Sequence, residues 1–301
     1  MENAPNPHKV TGNLTATSAL AEPQLGEAQA LLETCNRADS IDIPIYLPEL
    51  AEQSNVQTAI TCTAHSTLVG LAAIPDDSVP EASLMVHPAF RRRGIGRSLV
   101  DEIRAELRRR GLKGCLLVTD QASLSAKSFL AALGIIYTSS EYRLELNPTA
   151  IDRTRPRIDA LTMRPATRDD AETLIQVLSA AFWEPDEHAR VNVFATFNEL
   201  SRRFYLAELN GEPIGAIRVG DWSGNGDITA FGVVPDHQGK GYGRQILLDA
   251  VDLLLPLNLP RILIEVAVDN RNALGLYESC GFHITQEYGY YTLTAASADK
   301  P

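Results

Sequence analysis

The sequence predicts an α/β protein that consists of two tandem copies of one domain. Two stretches, starting at Pro88 and at Pro235, share the pattern Pro, two residues, Arg or Gln, two residues, Gly, one residue, Gly. In each copy a strand-like apolar segment precedes the glycines and an amphipathic helical run follows them. A constant offset between the copies indicates a tandem duplication. The prolines are 147 residues apart, and the same offset separates Arg91 from Gln238, Gly94 from Gly241, Gly96 from Gly243, Ala126 from Ala273 and Gly134 from Gly281.

Length and composition agree with two globular domains. The chain has 301 residues, of which 45% are hydrophobic and 22% are charged, and this composition is typical of folded proteins. About 150 residues is an ordinary domain size. Prolines and charges in residues 147–157 are typical of an exposed connector. We therefore predict an N-terminal domain at residues 1–150 and a C-terminal domain at residues 151–301.

The charge balance excludes one class of partner. Lys and Arg number 27 against 38 Asp and Glu, which gives a net charge of −11, and a protein that wraps phosphate backbones would need the opposite sign. No apolar run approaches the roughly 20 residues of a membrane span, and the first residues do not resemble a signal peptide. We expect a cytoplasmic protein, a monomer or a homodimer, with no nucleic-acid or membrane partner.

The four cysteines are scattered along the chain and form no C-x-x-C pair. Each falls in a segment that has the pattern of a helix or a strand, so we expect reduced thiols that mostly belong to the core and no metal site. They are Cys35, Cys62, Cys115 and Cys280.

Periodicity and turn signals give the order of elements in the second copy. Asn210-Gly211 lies between two strand-like segments and predicts a two-residue hairpin. A helix follows the second glycine pair, and another follows the next apolar strand. The predicted strands are 161–164, 203–209, 213–219, 228–234, 261–268 and 283–294, and the predicted helices are 169–181, 189–198, 241–254 and 272–280.

The first copy has the same order of elements. A hairpin is expected around His65-Ser66, and Gly111 ends the helix that follows the first glycine pair. The predicted strands are 82–86, 114–119 and 135–146, and the predicted helices are 94–110 and 125–133.

A glycine-rich turn between a strand and a helix suits an anion. Unpaired N–H groups point outward at the positive end of the helix, and glycine lets the backbone approach closely or adopt a positive φ. Arg91, Arg92, Arg93 and Lys240 add positive charge in an acidic protein. The pattern is neither the Walker loop nor the dinucleotide-binding G-x-G-x-x-G, because both copies have only G-x-G before the helix.

These motifs resemble the acyl-CoA signature of the GNAT N-acetyltransferase superfamily. The residues that carry the resemblance are the Arg/Gln-x-x-Gly-x-Gly turns and, in the second copy, Asn270-x-x-Ala273-x-x-Leu276-Tyr277-Glu278-x-x-Gly281-Phe282. The resemblance covers nearly the whole chain, and its tandem layout is similar to that of mycothiol synthases. It implies two GNAT-type domains, each a mixed, mostly antiparallel twisted sheet flanked by helices, and acetyl-CoA as co-substrate with no metal.

The resemblance also implies which residues bind CoA. The turn amides would hold the diphosphate, strands that diverge on either side of the following helix would receive the pantetheine, and a backbone N–H near Val233 would polarise the thioester carbonyl. Asn270 would hydrogen-bond CoA or order the start of its helix. The expected residues are Val233, Val234, Gln238, Gly239, Lys240, Gly241, Tyr242, Gly243, Asn270 and Ala273, and in the first copy Arg91, Arg92, Arg93, Gly94, Ile95 and Gly96.

Three residues of the second copy are candidates for proton transfer. Acetylation of an amine needs a neutral amine, donors for the oxyanion and a proton for the thiolate. Tyr277 matches the position of the family's acid, although a tyrosine there can also simply pack under the sheet. Asp227, which matches an acidic position of mycothiol synthases, is the first candidate base, directly or through water. Glu265, inside an apolar strand, is the second.

The first copy departs from the pattern, because the offset places Leu130 opposite Tyr277 and Ser123 opposite Asn270. We therefore expect an N-terminal domain that binds acetyl-CoA, or keeps only the shape of its site, without turnover, while Glu81 keeps a base conceivable there. Acceptor-facing groups are expected from Trp183, Glu184, Asp186, Glu187 and His188, and from Tyr288, Tyr290 and Tyr291.

The predicted function is acetyl-CoA-dependent N-acetylation of a small-molecule amine by the C-terminal domain. The alternatives are a non-catalytic acyl-CoA sensor or interaction module and, within the class, a mycothiol synthase or a protein N-acetyltransferase. Nothing in residues 216–225 matches a thiol-sugar site.

Overall fold

A computed structural model describes residues 12–182 and 185–296, except for the side chain of His188. The chain forms two compact units. Unit 1 comprises residues up to 140 together with those from 286 onward, and unit 2 comprises residues 141–285. Within the described ranges no helix is both long and apolar enough to cross a bilayer.

Unit 1 is a mixed sheet flanked by three helices. Its strands are β1 (Asn13–Thr17), β2 (Ala59–Ala64), β3 (Thr67–Ala73), β4 (Glu81–Val86) and β5 (Gly114–Asp120), and its helices are α1 (Glu22–Asp39), α2 (Ile95–Arg109) and α3 (Leu124–Ala132). β1 to β4 are consecutive antiparallel neighbours, and β4 pairs with β5 in parallel. One face of the sheet packs on α2, and the other packs on α1.

Unit 2 repeats this architecture. Its strands and helices, with the two strands that cross the boundary between the units, are β6 (Ile136–Leu146), β7 (Leu161–Pro165), α4 (Ala171–Phe182), α5 (Asp186–Thr196), β8 (Arg202–Leu209), β9 (Glu212–Trp222), β10 (Asn225–Val233), α6 (Tyr242–Leu254), β11 (Ile262–Ala267), α7 (Arg271–Ser279) and β12 (Phe282–Thr294). β7 to β10 are antiparallel neighbours, and β10 pairs with β11 in parallel. The predicted mixed, mostly antiparallel sheet is confirmed in both units.

The last strand of each sheet comes from the other sequence copy. Residues 141–145 of β6, at the end of the first copy, pair antiparallel with β11 in unit 2. Residues 288–294 of β12, at the end of the second copy, pair antiparallel with β5 in unit 1. The compact units therefore do not follow the predicted division at residue 150, because the two terminal strands have exchanged sheets.

This exchange corrects one expectation about the acceptor site. Tyr288, Tyr290 and Tyr291 were expected to serve the second copy, but they belong to the sheet of unit 1 and are at most 7% exposed. Tyr288 donates a hydrogen bond to Asp42, and Gln121 donates one to Tyr291. These tyrosines are part of the packing of unit 1.

The helix after each glycine turn packs through the same positions in both copies. Buried residues in α2 recur at the i, i+4 spacing of a helix face. Leu99, Val100, Ile103 and Leu107 are buried in α2, and Ile246, Leu247, Ala250 and Leu254, each 147 residues later, are buried in α6. The four cysteines are free and buried.

Candidate active site

In unit 2 the two parallel strands separate at the predicted CoA site. β10 and β11 pair only at residues 226–228 and 262–264, whereas β10 continues to Val233 and β11 to Ala267. A bulge between Thr229 and Gly232 shifts the register of β10 against β9, and Ala230 within it has φ +45°. A bulge bends its strand and re-aims the groups beyond it.

The bulge leaves backbone donors facing the cleft between the strands. Val234 donates its N–H to the carbonyl of Ile214 in β9. Because successive N–H groups of a strand point to opposite sides, the N–H of Val233 points to the side from which β11 has diverged. This amide is the one expected to polarise a thioester carbonyl.

The glycine turns have the same backbone conformation in both copies. Gly241 has φ +87° and Gly94 has φ +91°, so each first glycine adopts a left-handed conformation that strains other residues. Two residues earlier, Gly239 has φ +72° and Arg92 has φ +62°. Arg92 thus holds a glycine-like conformation, and the turn is preserved despite the change of residue.

The second glycine of each turn has a different task, which is close packing of helices. A Cβ on Gly243 would lie 3.3 Å from the Leu276 side chain, and one on Gly96 would lie 3.1 Å from the Phe129 ring. Leu276 and Phe129 are 147 residues apart. Here glycine makes room for the side chain of the neighbouring helix, in addition to any contact of its backbone with a ligand.

Gln238 and Arg91 both tie the turn to the end of the preceding strand. The Gln238 amide donates to the Val233 carbonyl over 2.8 Å, and Arg91 Nε donates to the Val86 carbonyl over 3.1 Å. Arg91 also forms an ion pair with Asp39 at 2.9 Å. The positive charge that was expected to attract an anion is therefore already paired at Arg91.

The other residues of the two turns differ in their exposure and in their contacts. Arg92, Arg93 and Lys240 are exposed, and the guanidinium of Arg93 lies 5.2 Å from the centroid of the Phe90 ring. Tyr242 lies 6.0 Å from the His237 ring. Ile95 is buried in the core of unit 1.

Unit 1 has a cavity of about 620 Å³ beside its glycine turn. Its β4 and β5 pair only at Glu81 with Leu116 and Ala82 with Leu117, and then diverge as in unit 2. The lining includes Arg92, Gly94 and Gly96 of the turn, together with Val86 and Leu130. The N-terminal copy therefore retains a space of ligand size at the place where the resemblance puts acyl-CoA.

Tyr277 projects from α7 toward the bulge of β10. Its ring lies 6.2 Å from the Phe231 ring in a stacked arrangement and 6.4 Å from the ring of Phe282. Burial raises the pKa of the phenol, so the group keeps its proton at neutral pH. Leu130, at the equivalent position of unit 1, is buried and carries no proton to donate.

Asn270 orders the start of its helix. Its side-chain oxygen accepts the N–H of Ala273 over 3.1 Å, and Ser123 accepts the N–H of Ala126 over 3.2 Å at the equivalent place in unit 1. Both are N-caps, which satisfy a backbone donor of the first helical turn. Of the two roles expected for Asn270, the structure shows this one.

Asp227 is a strand residue on the face of the sheet that α4 and α5 cover. It is 8% exposed, and its carboxylate lies 3.5 Å from Arg202. Burial raises its pKa above the ordinary aspartate value, while the charges of Arg202 and Arg218 oppose that rise. A carboxylate in this environment is a better proton acceptor than an exposed one.

Glu265 is held by a residue that the sequence interpretation missed. Arg143, from the exchanged end of β6, donates to Glu265 through both Nε and Nη2 at 2.8 Å. The two residues lie directly opposite each other in the sheet. The only available signal was a charged residue inside an apolar strand, which requires a partner, but the strand exchange hid the identity of that partner.

The remaining expected acceptor groups lie at the end of α4 and the start of α5. Trp183, Glu184 and the side chain of His188 lie outside the described residues. Asp186 and Glu187 are exposed. In the described ranges no group of three or more His, Cys, Asp or Glu side chains is arranged to hold a metal ion.

Comparisons with known proteins agree with this geometry. A model of the acetyltransferase (GNAT) family matches residues 170–282, and a model of the acetyltransferase (GNAT) domain matches residues 57–142. A mycothiol acetyltransferase of Streptomyces avermitilis is 30% identical over 90% of this chain and 92% of its own. One of Thermomonospora curvata is 27% identical over 89% and 93%.

Solved structures share the fold over nearly the full length. A GCN5-related N-acetyltransferase of Sphaerobacter thermophilus has a TM-score of 0.76 at 17% identity, covering 94% of this chain and 96% of its own. A tandem GNAT protein of the clavulanic acid biosynthesis pathway has a TM-score of 0.72 at 18% identity, covering 96% and 100%. The chain belongs to the GNAT acetyltransferase family and is an N-acetyltransferase with two GNAT domains in tandem.

Proposed function

We propose that unit 2 transfers the acetyl group of acetyl-CoA to a primary amine of a small molecule. The observation that carries this proposal is the position of Asp227 and Tyr277. Asp227 lies beside the point where β10 and β11 separate, and Tyr277 stacks on Phe231 of the bulge that follows. A buried carboxylate and a protonated phenol supply the two proton-transfer groups that the reaction needs.

The turn and the cleft supply the binding groups. The amides of residues 239–243 lie in the turn and at the start of α6, where a helix end favours a diphosphate, whereas the backbone amide of Gln238 donates to the Pro235 carbonyl. The unpaired edges of the diverging strands offer N–H and C=O groups to the amides of pantetheine. The Val233 N–H then supports the oxyanion that forms at the thioester carbonyl.

The chemistry is a direct transfer. The amine nitrogen bonds to the carbonyl carbon, and the carbon–sulfur bond breaks with its electron pair on sulfur. Asp227 accepts the proton that leaves the nitrogen, directly or through one water, and Tyr277 gives its proton to the departing thiolate. The products are an N-acetylated amine and CoA, and solvent restores both protonation states.

Asp227 is the proposed base because the other candidate, Glu265, is already paired with an arginine. Glu265 forms an ion pair with Arg143, whose Nε and Nη2 both lie 2.8 Å from its Oε1, so that this oxygen is already occupied by a cation. Asp227 has one cation at the longer distance of 3.5 Å, and burial opposes its charge.

For unit 1 we propose acetyl-CoA binding without turnover. Its turn, its diverging strands and its cavity of about 620 Å³ match the requirements for binding, whereas Leu130 replaces the acid. Asp39 adds a second difference, because it bridges Arg91 at 2.9 Å and Ser125 at 2.9 Å beside the cavity. This bridge joins α1 to the turn and to α3.

The names of the relatives favour a second candidate for the acceptor. The similar chains of Streptomyces avermitilis and Thermomonospora curvata are mycothiol acetyltransferases. Acetylation of a mycothiol precursor is therefore the alternative acceptor assignment within the same activity.

The experiment measures CoA release by the full chain with a panel of amines that includes a mycothiol precursor, alongside calorimetry with acetyl-CoA. Release of thiol with at least one amine and a stoichiometry of two support the proposal. Binding without release on every amine supports a sensor instead. A stoichiometry of one would contradict the role of unit 1.

A further inference from the structure

Arg218 is a cation on the face of the sheet that α4 and α5 cover, the proposed acceptor face, and among the described residues it forms no ion pair with a carboxylate. It lies in β9 directly opposite Thr229 of β10, at the beginning of the bulge. Its Nε donates to the Thr229 hydroxyl over 2.8 Å, and its Nη1 donates to the Thr196 hydroxyl over 3.0 Å. Its guanidinium carbon lies 5.9 Å from the Phe204 ring centroid. In the described part of the chain its Nη2 has no hydrogen-bond partner.

The other arginines of this face are occupied. Arg202 donates to both carboxylate oxygens of Glu199, at 2.6 and 3.1 Å, and lies 3.5 Å from Asp227. Arg143 is paired with Glu265. Among the residues that the structure describes, no carboxylate lies within 4.0 Å of Arg218, although it is partly buried. It is thus the arginine of this group that retains donors for a ligand.

The fold does not require a cation at this position. The strand pair β3 and β4 of unit 1 corresponds to β9 and β10. In that pair Ala73 lies opposite Ser83, as Arg218 lies opposite Thr229 in unit 2, and Ala73 is 8% exposed. Unit 1 therefore packs the same place with a methyl group. A guanidinium in unit 2 costs desolvation, and burial together with the charge of Arg202 lowers the Arg218 pKa. An anionic ligand would offset that cost.

The charged side chains around Arg218 indicate what net charge the acceptor should carry. Arg202 and Arg218 balance Glu199 and Asp227, and Arg143 balances Glu265, so these six side chains together carry no net charge. A simple cationic amine would add a positive charge beside Arg202 and Arg218. An acceptor that carries one ammonium and one carboxylate adds no net charge, and each of its groups meets an opposite charge.

We propose that Arg218 binds the carboxylate of the acceptor, which makes the acceptor an amino acid whose amine faces Asp227. This inference rests on the proposed function, since it concerns the acceptor of that reaction. Asp227 and Arg218 lie on one face, because Asp227 is opposite Gly220 and Arg218 is two residues from it along β9. The backbones of Asp227 and Arg218 are therefore about 7 Å apart. A small amino acid placed between the two side chains can span this distance, with its amine at Asp227 and its carboxylate at Arg218. Arg218 acts as a specificity residue and takes no part in proton transfer.

The test compares acceptors that differ only in the carboxylate. Each L-amino acid is paired with its primary amide, and β-alanine and 4-aminobutyrate are paired with theirs. CoA release by the full chain gives kcat/KM for both members of each pair, in the wild type and in Arg218→Met. Arg203→Met, an exposed arginine of the neighbouring strand, is the matched control.

We expect at least one acid to exceed its amide by about 10- to 100-fold in the wild type, as for a charge-assisted hydrogen bond. Arg218→Met should bring this ratio close to one without changing the KM for acetyl-CoA, Arg218→Lys should restore part of it, and Arg203→Met should leave it unchanged. A purely structural role would lower both rates together and leave the ratio intact. Equal rates for acid and amide in the wild type, or a ratio that survives in Arg218→Met, would overturn the proposal.

A binding measurement separates this proposal from the proposed function. If no amine releases CoA, the proposed function fails, and calorimetry with the same pairs in the presence of CoA still tests Arg218. Tighter binding of an acid than of its amide, lost in Arg218→Met, supports carboxylate recognition. Equal or absent binding of acid and amide contradicts it.

Discussion

Asp227 and Glu81 occupy the same place in their two sheets, although they are 146 residues apart. Asp227 lies opposite Leu263 in unit 2, and Glu81 lies opposite Leu116 in unit 1. The two leucines are 147 residues apart. The bulge at residues 229–232 adds one residue to β10, so every position before it in that strand is shifted by one. Both copies therefore place a carboxylate beside the cleft.

The two carboxylates differ in burial, and this difference predicts different roles. Asp227 is 8% exposed, whereas Glu81 is exposed. We expect Asp227→Asn to lower kcat/KM by about 100- to 10,000-fold, the range of general base catalysis. The matched variant Glu81→Gln should stay within about twofold of the wild type. Steady-state CoA release checks both, and an effect of Glu81→Gln as large as that of Asp227→Asn would mean that unit 1 also turns over.

The titration of Asp227 provides a test that does not depend on the acceptor. Burial raises the pKa of this carboxyl in the folded protein, so it takes up its proton at a higher pH than the ordinary value of about 3.9. As the pH falls through the raised pKa, the base form and the activity that depends on it are lost. Carbon-13 NMR of the carboxyl, assigned with Asp227→Asn, gives the midpoint.

The size of the upward shift in the Asp227 pKa also depends on the neighbouring cation. Arg202 lies 3.5 Å away and lowers the Asp227 pKa. Arg202→Met should therefore move the midpoint further upward. A midpoint at or below 3.9 in the wild type would remove the argument for Asp227 as a base.

Substituting the first glycine of each turn should separate the two acetyl-CoA sites. Gly94 and Gly241 have φ +91° and +87° with open space around an added Cβ, so alanine introduces backbone strain of about 1–2 kcal/mol and no clash. We expect Gly241→Ala to weaken one calorimetric site about tenfold and to reduce turnover. Gly94→Ala should weaken the other site and spare turnover. Gly26→Ala serves as the control and should leave both sites intact, because a Cβ added at this position of α1 meets no atom within 4 Å.

The first hairpin of unit 1 should be open to stabilisation. His65 and Ser66 both have positive φ, at +51° and +62°, whereas the hairpin between β8 and β9 has Asn210 and Gly211 at +52° and +84°. Two-residue turns of this type favour Asn-Gly. His65→Asn with Ser66→Gly should raise the free energy of unfolding by about 1 kcal/mol, because the strain at Ser66 is removed. Denaturant unfolding at constant m-value measures the change, and the reverse exchange at 210 and 211 should destabilise unit 2.

The turns, the helices that follow them and the hairpins could be predicted because each has a local cause. Gly94 and Gly241 are required by a positive φ, and the buried face of α2 has the period of a helix. The family and the sheet type followed from the same motifs. The strand boundaries were less exact, since β9 continues to Trp222 and β10 begins at Asn225, which makes Asp227 a strand residue.

Two features of the site could not be predicted because they depend on distant parts of the chain. The terminal strands of the two copies have the same pattern, so nothing local indicated that Arg143 would join unit 2 and meet Glu265. The bulge adds one residue to β10 between Thr229 and Gly232. The matched glycines and helices that reveal the offset of 147 all lie after Gly232, so this offset gave no sign of the added residue. Both features arise from strand pairing, whose partners are set by the assembled sheet and not by local sequence.

The division of labour between the copies depends on Tyr277, and replacing its hydroxyl tests the account most directly. Tyr277→Phe keeps the stacking on Phe231 and Phe282 and removes only the proton donor. Measured as CoA release by the full chain, kcat should fall by about 100- to 10,000-fold with an unchanged KM for acetyl-CoA, and Leu130→Tyr should not restore it. Full turnover in Tyr277→Phe would contradict the assignment of catalysis to unit 2 through this phenol.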